Sequence, residues 1–252
     1  MKSILIIPIM VLLLLLSGCT STEGGERGTG AMTGTVVQIE SGGQRYPAYV
    51  SSPAGGGRHP AVVLIHSFNG LEQGYRDMAD RLASEGYVVI APEWQTYGQS
   101  PGDAVVEQLV RDTISYLGTR ADVDPNRLGL TGFCAGGRYT MLLLPRIEAF
   151  RSGVAFYGFP YSVGNLNQTP ASLIGDLEDP MLIIHGTADR ASPIADIYRY
   201  ATDLDAAGKY FELKVYQGEP HGFMVQNGQL SESFVAQDAY SEMAGFFDRT
   251  LT

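Results

Sequence analysis

The chain has 252 residues, 44% of them apolar, with 27 acidic and 17 basic side chains, a formal net charge of −10 and two cysteines. That length suits one α/β domain with a sizeable core. The acidic balance argues against nucleic-acid binding and against an electrostatic grip on anionic lipid, both of which need clustered Lys and Arg.

Lys2 precedes an apolar run from Ile4 to Leu16, followed by Ser17, Gly18 and Cys19. A basic start, a short apolar core and small residues before the cut predict a signal peptide. The run is shorter than the roughly 20 residues of a spanning helix. Its Leu16-Ser17-Gly18-Cys19 ending resembles the lipobox of bacterial lipoproteins, which implies that Cys19 becomes a lipidated N-terminus. The expected organisation is a signal peptide (1–18), a lipidated flexible tether rich in Gly, Ser, Thr and Glu (19–32), and one folded domain (33–252). The expected location is the cell envelope, with membrane contact through the N-terminal lipid alone. An ordinary secretory signal is the alternative.

Residues 33–39 and 45–50 read as two strands joined at Gly42-Gly43, and 61–65 as a strand buried on both faces. From there strands and helices alternate. Helical patterns cover 71–84, 104–117, 138–150 (continuing a helix that begins at 134), 193–207 and 231–251. Strands are expected at 87–90, 127–131, 152–157, 181–184 and 211–216. This alternation predicts an α/β fold with a mostly parallel sheet and helices on both faces.

Strand 127–131 runs into Gly132-Phe133-Cys134-Ala135-Gly136-Gly137, the cysteine form of a nucleophile elbow. Such a strand-to-helix turn needs small neighbours and an unusual backbone conformation at the nucleophile. The helix N-terminus behind it favours negative charge on sulfur and on a nearby oxyanion. A buried structural cysteine is the plainer reading.

A catalytic thiol needs a base, and the chain has four histidines. His221 sits in a Gly/Pro-rich loop after the last strand. His66 and His185 end apolar strands, and His59 lies in an early loop. Asp189, just past strand 181–184, is the best candidate to orient the imidazole. The order Cys134, Asp189, His221 is the nucleophile–acid–base order of α/β hydrolases. No metal or other cofactor is called for.

At this point the chain resembles the dienelactone hydrolase family, an α/β-hydrolase fold, over roughly residues 33–251. The likeness rests on His66-Ser67-Phe68-Asn69-Gly70, the segment 85–92, the elbow, His185-Gly186-Thr187-Ala188-Asp189, and Pro220-His221-Gly222-Phe223. It implies that Cys134 is the nucleophile, His221 the base and then acid, and Asp189 the orienting carboxylate. The implied oxyanion donors are the backbone N–H groups of Phe68 and Ala135. Family members carry a glutamate directly after the position of His66, where this chain has Ser67. Glu72 reads as a solvated residue of the next helix.

The family's dienelactone-cleaving members hold a substrate carboxylate with two arginines, at positions where this chain has Tyr97 and Val225. The expected substrate is therefore a small neutral ester or lactone. Its pocket is expected to draw on Phe68, Trp94, Tyr97, Phe133, Tyr157 and Phe223, about half of which should reach the site. Arg138 and Arg190 are the possible replacement charges. Two rivals remain: a binding protein that kept the scaffold without activity, and a thiol redox protein, which the lack of a resolving cysteine disfavours.

Overall fold

The computed structural model describes residues 34–164 and 167–251; the expected leader, tether and Cys19 lie outside them. Strands β1 (Thr35–Ser41) and β2 (Gln44–Ser51) form a hairpin through Gly42 and Gly43, whose φ values of 56° and 76° need residues without a Cβ. The chain then lays down β3 (His59–Ile65), β4 (Val88–Pro92), β5 (Val123–Phe133), β6 (Phe150–Phe156), β7 (Met181–Gly186) and β8 (Phe211–Tyr216). The sheet order is β1-β2-β4-β3-β5-β6-β7-β8, antiparallel through the β2–β4 pairing and parallel beyond it.

Strands β4 and β7 are buried along their whole length, which explains their unbroken apolar sequences. Helices α1 (Gln73–Ser84) and α5 (Phe234–Thr250) cover one face, packing Met78, Leu82, Tyr240 and Met243 against Leu64 and Phe133. Helices α2 (Asp103–Thr119), α3 (Ala135–Leu143) and α4 (Ile194–Ala206) cover the other, packing Leu109, Met141 and Tyr200 with Val63 and Leu130. Among the described residues no helix is long and apolar enough to cross a membrane.

The alternation expected from sequence is present, with four local differences. The helix after the elbow does not reach Phe150. It stops at Leu143 and tightens into a 3-10 turn, Leu144–Arg146, because Pro145 has no N–H for another helical bond. A second 3-10 segment, Pro170–Asp176, was not expected. Nor was a small hairpin, β9 (Val225–Gln226) and β10 (Gln229–Leu230), turning through Asn227 and Gly228 at φ 52° and 77°. The closing helix starts only at Phe234, where the Ser233 hydroxyl caps the Ala236 N–H at 3.1 Å.

Candidate active site

Strand β5 delivers Cys134 as a free thiol in a left-handed backbone conformation, φ 59° and ψ −115°. Non-glycine residues adopt this region at a cost of about 1–3 kcal/mol, so the surroundings must enforce it. Three glycines let the backbones close in. A Cβ on Gly132 would strike the Gly136 carbonyl, one on Gly136 the Ile65 carbonyl, and one on Gly137 the Phe156 carbonyl. The Cys134 N–H donates to Phe156 O (3.1 Å) and its carbonyl accepts the first helical bond, from Arg138 N (3.0 Å).

Asp189, buried in the loop after β7, and His221, in the loop after β8, meet at this end of the sheet. His221 Nδ1 donates to Asp189 Oδ2 at 2.7 Å. Asp189 Oδ1 accepts from the backbone N–H groups of Ala191 (2.9 Å) and Ser192 (2.8 Å). Burial alone would raise the Asp189 carboxyl, but the His221 and Ser192 bonds hold it below its ordinary range. Burial likewise works against a charged His221. The bond to Asp189 and the neighbouring Cys134 thiol outweigh it and carry the imidazole up to about 9. His221 Nε2 is buried and closes no hydrogen bond among the described residues, with the sulfur beside the ring.

The other histidines have structural partners. His185 Nε2 donates to Ser192 O at 2.8 Å and lies 3.4 Å from Asp189 Oδ2; burial lowers its pKa and favours the neutral ring. His66 is buried, stacked on Trp94 at 5.3 Å and hydrogen-bonded through Nδ1 to Ser67 O; burial takes it down to about 4. His59 is not a loop residue but opens β3, with its N–H bonded to Asp122 O.

A cavity of about 150 Å³ opens over Cys134 and His221. Its walls are Ser67, Phe68, Asn69 and Glu72 from the loop after β3, Tyr75 of α1, Tyr157 at the end of β6, and Val225 of β9. Of the two expected oxyanion donors, Phe68 lines the cavity and Ala135 directly follows Cys134 in the chain. The Phe68 N–H has no backbone acceptor among the described residues, and Ala135 opens α3, where N–H groups have no intrahelical partner.

The aromatic residues divide sharply. Phe68 and Tyr157 line the cavity; the others do not. Trp94 belongs to the core: its indole donates to His66 O at 3.2 Å and its ring meets Tyr139 edge-on. Tyr97 is exposed beside the first hairpin, donating to Arg45 O at 2.8 Å and packed on Tyr46. Phe223 is buried behind Tyr157, between it and Tyr216. Phe133 is core, stacked on Phe156 at 4.5 Å.

Neither arginine supplies a charge to the cavity. Arg138 forks onto Asp103 at 2.8 and 3.0 Å, and Arg190 is exposed outside the lining. Two lining residues were overlooked, Glu72 and Tyr75. Glu72 is not a solvated helix-face residue: it is half-buried at the position before α1, turned towards the Ser67 and Asn69 side chains. Glu72 makes no capping bond to the first-turn N–H groups of α1, so nothing in the local helix signal marks its carboxyl as turned to the loop.

The model of the dienelactone hydrolase family matches residues 46–251. A protein of Methylorubrum extorquens named as a carboxymethylenebutenolidase is 31% identical over 221 residues, covering 80% of this chain and 76% of that protein. The crystal structure of a protein from Klebsiella pneumoniae named as a dienelactone hydrolase superposes with a TM-score of 0.79 at 28% identity, covering 87% of this chain and 99% of the other. A dienelactone hydrolase-like promiscuous phosphotriesterase from metagenomic libraries shares the fold, with a TM-score of 0.75 at 18% identity, covering 88% of this chain and all of that one. The chain therefore belongs to the dienelactone hydrolase family, with the α/β-hydrolase fold, and is a hydrolase of the ester or lactone type.

Proposed function

We propose that the chain hydrolyses small ester or lactone substrates through a Cys134-His221-Asp189 triad. The observation that carries this reading is the 2.7 Å bond from His221 to a carboxylate already fixed by two backbone N–H groups, with the elbow thiol beside the ring in the same cavity. The Cys134 sulfur attacks the carbonyl carbon while its proton resides on His221. The N–H groups of Phe68 and Ala135 hold the oxyanion, and each such donor is worth about 2.7–4 kcal/mol of barrier. His221 protonates the leaving alkoxide, and the acyl group stays on sulfur as a thioester. The neutral ring then takes a proton from water, which attacks the thioester and restores the thiol.

A small cavity without a lining arginine supports neutral substrates over carboxylate-bearing ones. The N-terminal sequence supports export and lipidation at Cys19, with the catalytic domain tethered to a membrane of the cell envelope. The decisive experiment is turnover of a short neutral aryl ester by wild type and by Cys134→Ala. Loss of at least a thousandfold in kcat/KM, with an acyl-enzyme of the expected mass trapped on Cys134 in the wild type, is the expected result. Equal turnover by the variant would remove the thiol from the reaction.

A further inference from the structure

Among the described residues Glu72 is the one acidic side chain that lines the cavity. It forms no ion pair with any described residue, and the groups against its carboxyl are the neutral side chains of Ser67 and Asn69. A half-buried carboxylate that meets only neutral hydrogen-bonding side chains is still free to pair with a cation. Both arginines of α1 are engaged elsewhere, Arg76 with Glu93 at 3.2 Å and the Tyr49 ring, Arg81 with Glu85 at 3.8 Å. Around the same small space stand three aromatic side chains, Phe68, Tyr75 and Tyr157, and the buried Tyr157 hydroxyl closes no hydrogen bond among the described residues. A carboxylate set among aromatic faces is the chemistry that receives an ammonium group, by ion pairing and by cation–π attraction. The net charge of −10 adds a long-range pull of the same sign on cations.

We propose that Glu72 is a specificity-determining residue that makes this a hydrolase for esters carrying a cationic group close to the scissile carbonyl, aminoacyl esters in particular, and that excludes anionic acyl groups. This rests on the ester hydrolase reading above. The ammonium would sit between the Glu72 carboxylate and the tyrosine rings while the carbonyl lies over Cys134. A substrate carboxylate in that place would meet like charge.

The test compares kcat/KM at neutral pH for the para-nitrophenyl esters of β-alanine, butyrate and glutarate, which present a cationic, a neutral and an anionic acyl group. Wild type should rank them in that order. Glu72→Gln keeps the shape and removes the charge, so it should lower the β-alanyl-to-butyryl rate ratio about tenfold or more and raise the glutaryl-to-butyryl ratio. Glu72→Asp, which keeps the charge, should retain the wild-type order. Methylammonium should compete with the butyryl ester in wild type, a readout that needs no variant. An unchanged cation-to-neutral ratio in Glu72→Gln, an equal loss on all three esters, or no competition by methylammonium overturns the role of Glu72 alone. Failure of wild type to cleave any of the three overturns the hydrolase reading itself.

Discussion

Asp189 binds His221 with one carboxylate oxygen and the backbone of Ala191 and Ser192 with the other. The acid is thus held in orientation by its own loop, and it transmits that orientation to the imidazole. Asp189→Asn keeps an acceptor for the two N–H groups, so the fold should persist. The imidazole loses the charge that stabilises its protonated form, and kcat/KM for a neutral ester should fall by about a thousandfold or more. The His221 ring titration, followed by NMR, should drop from about 9 towards its ordinary value. Turnover within a few-fold of wild type would remove Asp189 from the mechanism.

The same pair makes stability depend on alkaline pH. His221 binds its proton up to about 9 in the fold, against an ordinary imidazole value of about 6.5. The folded pKa is raised, so this contribution is complete below about pH 6.5 and is lost as pH rises through about 9. Asp189, held below its ordinary range, stays ionised across that window. Urea denaturation of wild type and His221→Gln should show a stability gap that narrows between pH 6.5 and 9.5. A gap that widens would contradict the assignment.

The glycine contacts at the elbow predict a steep steric cost. Gly136→Ala would press a methyl group into the Ile65 and His66 carbonyls, backbone atoms of β3 and the loop after it that have nowhere to go. We expect a loss of about 2–4 kcal/mol in urea unfolding, together with loss of esterase activity. Gly175→Ala, where a Cβ meets nothing within 4 Å, is the control and should be near neutral.

The proposed anchor has its own test. Cys19→Ser, if the leader is still removed, should leave the catalytic domain in the soluble fraction of the envelope with its esterase activity intact. A processed variant that still sediments with membranes after a high-salt wash would falsify lipidation as the tie.

Much of this architecture was legible because buried parallel strands write long apolar runs and the elbow needs glycines at fixed places. The pocket was less legible, for physical reasons specific to each residue. Trp94 and Phe223 are aromatic and near the strand ends, yet a large ring can as readily floor the site from within the core, and periodicity does not distinguish the two. Glu72 reads as an ordinary helix-face acid, because its partners Ser67 and Asn69 come against it only through the path of the loop before α1. The hairpin of β9 and β10 is too short to show alternation, although its Asn227-Gly228 turn is a strong local signal of the kind that two left-handed residues require.

That hairpin joins the other wall of the cavity: Gly74 N donates to Gly228 O at 2.9 Å, and a Cβ on Gly74 would come within 2.6 Å of Leu230 N. The loop bearing Ser67 to Glu72 and the loop bearing Gly222 to Val225 are therefore fastened into a single rim. The Cys134 elbow, by contrast, is packed against the backbone ends of β3 and β6, with the His66 carbonyl its contact nearest the rim. A library that randomises the Asn227-Gly228 turn together with Asn69 would retune which acyl groups enter while the attacking atom stays where it is.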